Sequence, residues 1–194
     1  MVSRTRDLVV LLDPAGRPTG SMPKEDVHTS QTPFHLGLSC YLFDERGRLL
    51  MTQRALAKKT WPGVVTNSAC GHPGVNESLE RAVRRVVDHE LGCGITDLIT
   101  ILPDFSYRAV SDQGIVEWEY CPVVTAVVAE DDVVLNRDET EGALWIEWRS
   151  FVTLTESGEM DLSPWSKLQV SALKEIGAPG VWRDRSDELP DFLR

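Results

Sequence analysis

The chain has 194 residues, 42% of them hydrophobic and 26% charged, with a net charge of −10. That size and balance predict one soluble domain able to bury its own core, and the acidic surplus argues against a nucleic-acid backbone as the main partner. The four cysteines (Cys40, Cys70, Cys93, Cys121) form no CxxC pair and show none of the crowding of a secreted scaffold, so they read as reduced thiols of a cytoplasmic protein.

In chain order, Leu8–Leu12 (LVVLL) reads as a first strand ended by Asp13-Pro14. It is too short for a signal-peptide core or a membrane span, and no later stretch is long and apolar enough to cross a bilayer. Leu36–Phe43 (LGLSCYLF) reads as a strand, and DERG turns it into a second, RLLMTQR. ALAKKTWPG is a basic loop, followed by a short strand from Val64 to Thr66. The spacing predicts a helix over Glu77–Leu91, with Asn76 as its cap and Gly92 as its stop. Strands are predicted over 98–102, 115–128 and 143–148, and a last helix from Ser163-Pro164 to about Ile176. The tail after GAPG is polar and expected to be loosely held. This order points to a mixed sheet flanked by helices, of α+β or α/β class. It divides the chain into one domain over 1–176 and a tail over 177–194.

The predicted helix carries an apolar stripe of Leu79, Ala82, Val83, Val86 and Val87, and Glu90 projects within about 20° of Leu79. A carboxylate there either reaches solvent at the helix end or is held for a cation. In GIVEWEYCP, Glu117 and Glu119 share one face of a strand, a solvated edge or half of a metal site. His28 and His35 flank TSQTP, and His72 follows Cys70 by two. Three histidines beside stray carboxylates favour a divalent ion such as Mn²⁺, Zn²⁺ or Mg²⁺. Cys70 itself is open at this point to three readings: core filler, metal ligand or reactive thiol.

These residues together resemble type I isopentenyl-diphosphate Δ-isomerase, a branch of the Nudix superfamily. The resemblance spans about residues 8–170 and rests on HTSQTPFHLGLS, QRALAKKTWPG, TNSACGHP, ELG, PDFSYRA, GIVEWEYCP and LSPW, in that order. The Nudix pattern laid on Gly71–Cys93 is met at Gly71, Glu77, Arg85, Glu90 and Gly92. Val86 and His89 replace two glutamates that the pyrophosphohydrolases use for catalytic metal, which speaks against phosphate-bond hydrolysis.

The resemblance implies a Nudix-like single domain that isomerises isopentenyl diphosphate to dimethylallyl diphosphate. It implies one divalent metal on His28, His35, His72, Glu117 and Glu119, and a Mg²⁺ bound with the substrate diphosphate near Glu90 and a main-chain atom of Cys70. It implies Cys70 and Glu119 as catalytic groups on opposite faces of the substrate, with Tyr107 assisting Glu119 and Trp165 covering the hydrocarbon end. Lys24, Arg54 and Lys58 match positions that bind the diphosphate. Two departures stand out: Val65 where tryptophan is frequent, and Val86 where a third consecutive arginine is common.

An unactivated alkene needs a well-placed acid to protonate its terminal carbon and a base on the other face to take a proton from the neighbouring carbon. The order of the two is not readable; the chemistry leans to Glu119 with Tyr107 as acid and Cys70 as base, with nearby cations favouring the thiolate. The partner is then a small isoprenoid diphosphate, with no nucleic acid and no membrane, and the chain is a monomer or a homodimer. A Nudix hydrolase of nucleoside diphosphate derivatives and a catalytically silent diphosphate-binding module are the rival readings.

Overall fold

Apolar runs interrupted by glycine and proline make short strands, and a computed structural model describes them over residues 8–194. The first seven residues of the expected domain lie outside the described residues. A hairpin of β1 (Leu8–Leu12) and β2 (Pro18–Pro23) leads into a single turn of helix, α1 (Lys24–Val27). Next come β3 (His35–Leu36), β4 (Leu38–Phe43), β5 (Arg48–Arg54), β6 (Val65–Thr66) and β7 (Ala69–Gly71). The long helix α2 (Leu79–Leu91) precedes β8 (Thr96–Leu102), β9 (Ser106–Val110), β10 (Val116–Tyr120) and β11 (Val123–Val127). The chain closes with β12 (Thr140–Glu147), α3 (Trp148–Ser157), α4 (Pro164–Glu175) and short 3-10 turns.

The strands form two mixed sheets, ordered β2-β1-β3-β10-β9 and β12-β5-β4-β11-β8, with β6 on β5 and β7 on β4. Each of the two long strands expected over 36–43 and 115–128 is split, and each split passes the chain from one sheet to the other. Pro122 has no N–H with which to continue a ladder. Opposite it, Gly37 donates to the Tyr120 carbonyl (2.8 Å) and Ser39 to the Pro122 carbonyl (3.1 Å). The pairs β3–β10 and β4–β11 therefore run parallel through a common seam.

Helix α2 starts two residues later than expected, capped by Ser78, whose Oγ accepts from Arg81 N–H at 3.5 Å. Asn76 instead takes a left-handed turn (φ 59°), and Glu77 accepts from Gly74 N–H (2.7 Å) and the Arg85 guanidinium. The helix ends at Gly92 as expected (φ 60°), whose N–H returns to Asp88. Its buried stripe packs on Leu38, Cys40 and Leu42 of β4, while α3 and α4 cover the other face through Phe151, Val170 and Leu173.

The tail differs from the loosely held segment expected. Trp182, Leu189 and Leu193 are buried, and Asp184 and Arg185 exchange hydrogen bonds with both backbone groups of Thr100. Three widely spaced apolar residues suffice to dock it, and its polar composition conceals them. Strands β2, β7 and β9 and helices α1 and α3 were not foreseen. Among the described residues, no helix is long and apolar enough to cross a membrane.

Candidate active site

The seam between the sheets gathers the chemistry. In register, Glu119 on β10 lies beside His35 of β3 on one side and Tyr107 of β9 on the other, so all three project to one face. Tyr107 donates its hydroxyl proton to Glu119 Oε2 at 3.1 Å. His28 is brought to the same place by the loop after α1, tied through the Thr29 carbonyl to Val116 N–H at 2.8 Å. Gly37 faces Glu119 so closely that a Cβ there would collide with its carboxylate.

His28, His35, His72 and Glu119 present ligand atoms all within 4.8 Å of one another. His35 donates Nδ1–H to the Pro33 carbonyl (2.8 Å), which leaves its Nε2 lone pair facing the cluster. That Nε2, together with His28 Nε2 and both nitrogens of His72, is buried without a hydrogen-bond partner. Buried orphaned imidazole nitrogens around a carboxylate fit a divalent ion of borderline softness. Glu117 stands outside the tight set, its Oε2 3.3 Å from His28 Nε2. Burial pushes His72 down to about 4, so its ring is neutral.

Every predicted site residue except the fully buried His35 lines one cleft of about 1010 Å³. Cys70, on β7 directly opposite Ser39 of β4, opens into it. Burial pushes its thiol up to about 12, opposed by the hydrogen bond with Ser39. The cations near it do not prevail over burial, which corrects the expectation of a resting thiolate. Trp165, held at the start of α4, donates Nε1–H to Thr66 Oγ1 (2.9 Å) and Asn67 Oδ1 (3.2 Å). Its ring meets Trp61 edge-on at 5.4 Å and tilts on Tyr107 at 5.9 Å.

The far end of the cleft is charged. Lys24 and Arg54 line it, and Arg54 is held by the Thr60 carbonyl (3.1 Å) with its guanidinium 6.0 Å from the Trp165 ring. Lys58 is paired with Glu139, a residue sequence reasoning missed. Burial and then the Glu139 carboxylate raise Glu90 to about 7, against the pull of Arg54, Lys58 and Lys24. Two carboxylates set among the cations suit a hard divalent ion shared with a diphosphate. Asn67 and Ser39, which lie within TNSACGHP and HTSQTPFHLGLS, join the site as well, and so does Gln169, whose place in the sequence carries no signal without the fold.

The NUDIX domain family matches residues 33–168. The solved structure of DR0079 from Deinococcus radiodurans superposes with a TM-score of 0.66 over 85% of this chain and 98% of that one, at 15% identity. A MutT NUDIX hydrolase from Burkholderia pseudomallei superposes with a TM-score of 0.52 over 71% and 96%, at 19% identity. Both likenesses show the fold alone. Much nearer in sequence are proteins named isopentenyl-diphosphate Delta-isomerase. That of Mycolicibacterium vanbaalenii is 50% identical over 89% of this chain and 94% of its own length. That of Saccharopolyspora erythraea is 46% identical over 94% and 95%. By fold, family match and these identities, the chain belongs to the isopentenyl-diphosphate Δ-isomerase family of the NUDIX superfamily.

Proposed function

We propose that this chain isomerises isopentenyl diphosphate to dimethylallyl diphosphate in isoprenoid biosynthesis, with Cys70 and Glu119 as the proton-transfer pair. The observation that carries the reading is the convergence, in one cleft, of an open thiol, a Tyr107-bonded carboxylate and an aromatic wall beside a cationic end. Lys24, Arg54 and Lys58 bind the diphosphate and so place the five-carbon chain between Cys70 and Glu119. One of these groups adds a proton to the terminal alkene carbon, leaving a tertiary carbocation. The other removes a proton from the adjacent methylene, and the double bond forms there. Tyr107 orients Glu119 and can share its proton. Trp165 covers the cationic carbon, worth roughly 0.5–2 kcal/mol, and excludes the water that would trap it as an alcohol.

His28, His35, His72, Glu117 and Glu119 would hold one divalent ion, Mn²⁺, Zn²⁺ or Mg²⁺, and Glu90 with a main-chain atom of Cys70 would hold Mg²⁺. When bound, the first fixes the Glu119 carboxylate and the second neutralises diphosphate charge. The four cysteines are free thiols, in keeping with a cytoplasmic location. The partner is the small diphosphate, with neither nucleic acid nor membrane required.

Proton NMR of isopentenyl diphosphate with the purified protein and Mg²⁺ in D₂O tests this, with Cys70→Ala run beside it. Dimethylallyl methyl signals carrying deuterium are expected from the parent and none from the variant. An unchanged substrate with folded, metal-loaded protein would overturn the reading.

A further inference from the structure

The Cys70 sulfur lies between two polar groups of opposite, fixed character. Asn67 donates both Nδ2 protons to main-chain carbonyls, Cys40 (3.1 Å) and Ala69 (2.9 Å), so its amide cannot be reversed. Its Oδ1 therefore faces Cys70, and the thiol donates to it at 3.1 Å. On the other side, Ser39 Oγ lies 3.6 Å from the Cys70 sulfur. Its direction is set from behind. Gln169 Nε2 donates to Ser39 Oγ at 2.8 Å, and Gln169 Oε1 is occupied by the Tyr41 hydroxyl at 3.0 Å. With the amide in this orientation, the Ser39 proton points away from Gln169, towards sulfur. Two sulfurs are within its reach, Cys70 and the buried Cys121 at 3.4 Å. Only Cys70 opens to the cleft, so only Cys70 exchanges a proton with substrate.

We infer that Ser39, aimed by Gln169, is a positioning residue for the catalytic thiol, and that with Asn67 it forms a cradle that holds the sulfur in both of its states. This rests on the assignment of Cys70 to proton transfer. In each turnover the sulfur passes one proton to or from one substrate carbon while the opposite group makes the reverse exchange with the other, so both end in their altered protonation states and are reset by proton exchange with solvent in the cleft. With its proton, the sulfur is anchored by the Asn67 acceptor. Without it, that contact becomes a repulsion between lone pairs, and the Ser39 hydroxyl supplies the compensating donor. An acceptor alone would leave the anion unheld in a buried site, and a donor alone would leave the thiol free to rotate. Side chains from β4 and α4, 130 positions apart, meet here to provide the second half of the cradle.

Steady-state kinetics of the metal-loaded protein decides it, with Cys70→Ala, Ser39→Ala and Gln169→Glu compared with the parent. Ser39→Ala is expected to lower kcat at least about tenfold with KM within about twofold, since the diphosphate contacts lie elsewhere. Gln169→Glu is expected to do the same with Ser39 still present, because its carboxylate takes the Ser39 proton away from sulfur. A Ser39→Ala protein that loses thermal stability but keeps kcat would overturn the cradle, whatever the folding of the Gln169 variant. A Cys70→Ala protein that keeps kcat would instead remove the assignment on which the cradle rests.

Discussion

At the residue scale, the least conspicuous position carries much of the site. Gly37 has no side chain because the Glu119 carboxylate occupies the space a Cβ would need. Gly37→Ala should therefore fold but displace Glu119 from its three histidine neighbours. We expect kcat to fall at least about a hundredfold, with Mn²⁺ retention after gel filtration lost and far-UV circular dichroism unchanged. The histidines and paired glutamates were legible in the sequence as residue types that hold a divalent ion, but their convergence was not, since spacing alone does not bring His28, His35, His72 and Glu119 together. The glycine was not legible, since its meaning lies in the residue that fills the space beside it. Nor was the state of Cys70: charge can be counted along a chain, but the burial that outweighs it here cannot.

At the element scale, α4 aims Trp165 through its first turn. Ser163 Oγ accepts from Ser166 N–H at 3.3 Å, and Pro164 occupies the first helical position, where its missing N–H costs nothing. Loss of such a cap costs about 1 kcal/mol, so Ser163→Ala should lower the calorimetric Tm by about 2–4 °C. The cap and the following apolar residues made this helix readable from sequence, as Gly92 did the end of α2. The short strands β7 and β9 were unreadable for the converse reason. Three to five residues with mixed side chains acquire strand geometry only from the partner they pair with, Ser39 for Cys70 and Glu119 for Tyr107.

At the scale of the whole molecule, the terminal segment closes the β8 edge. Asp184 accepts hydrogen bonds there from Thr100 and Ser186 N–H and the Ser186 hydroxyl, which, against burial, hold its carboxyl below 3.8. A carboxyl lowered on folding stabilises the protein above its unfolded value and ceases to do so as pH falls through the folded one. Asp184→Ala should thus melt below the parent at pH 7, with the difference shrinking below about pH 4 and vanishing in stronger acid. Melting curves across pH 2–7 would check it; a constant difference would refute it.

The seam has one more consequence, in time. Its strands come from distant parts of the chain, as where Thr125 bonds the Tyr41 carbonyl across 84 positions. Such pairings carry the largest loop-closure entropy, so they form late, whereas α2 is local and forms early. The histidine cluster cannot exist in a fragment or in an early collapsed state. After dilution from denaturant, helical ellipticity should return first and the capacity to retain Mn²⁺ only with the final closure, a lag that stopped-flow measurement can resolve. A nascent chain would accordingly remain blind to metal until the strands on both sides of the seam had been made.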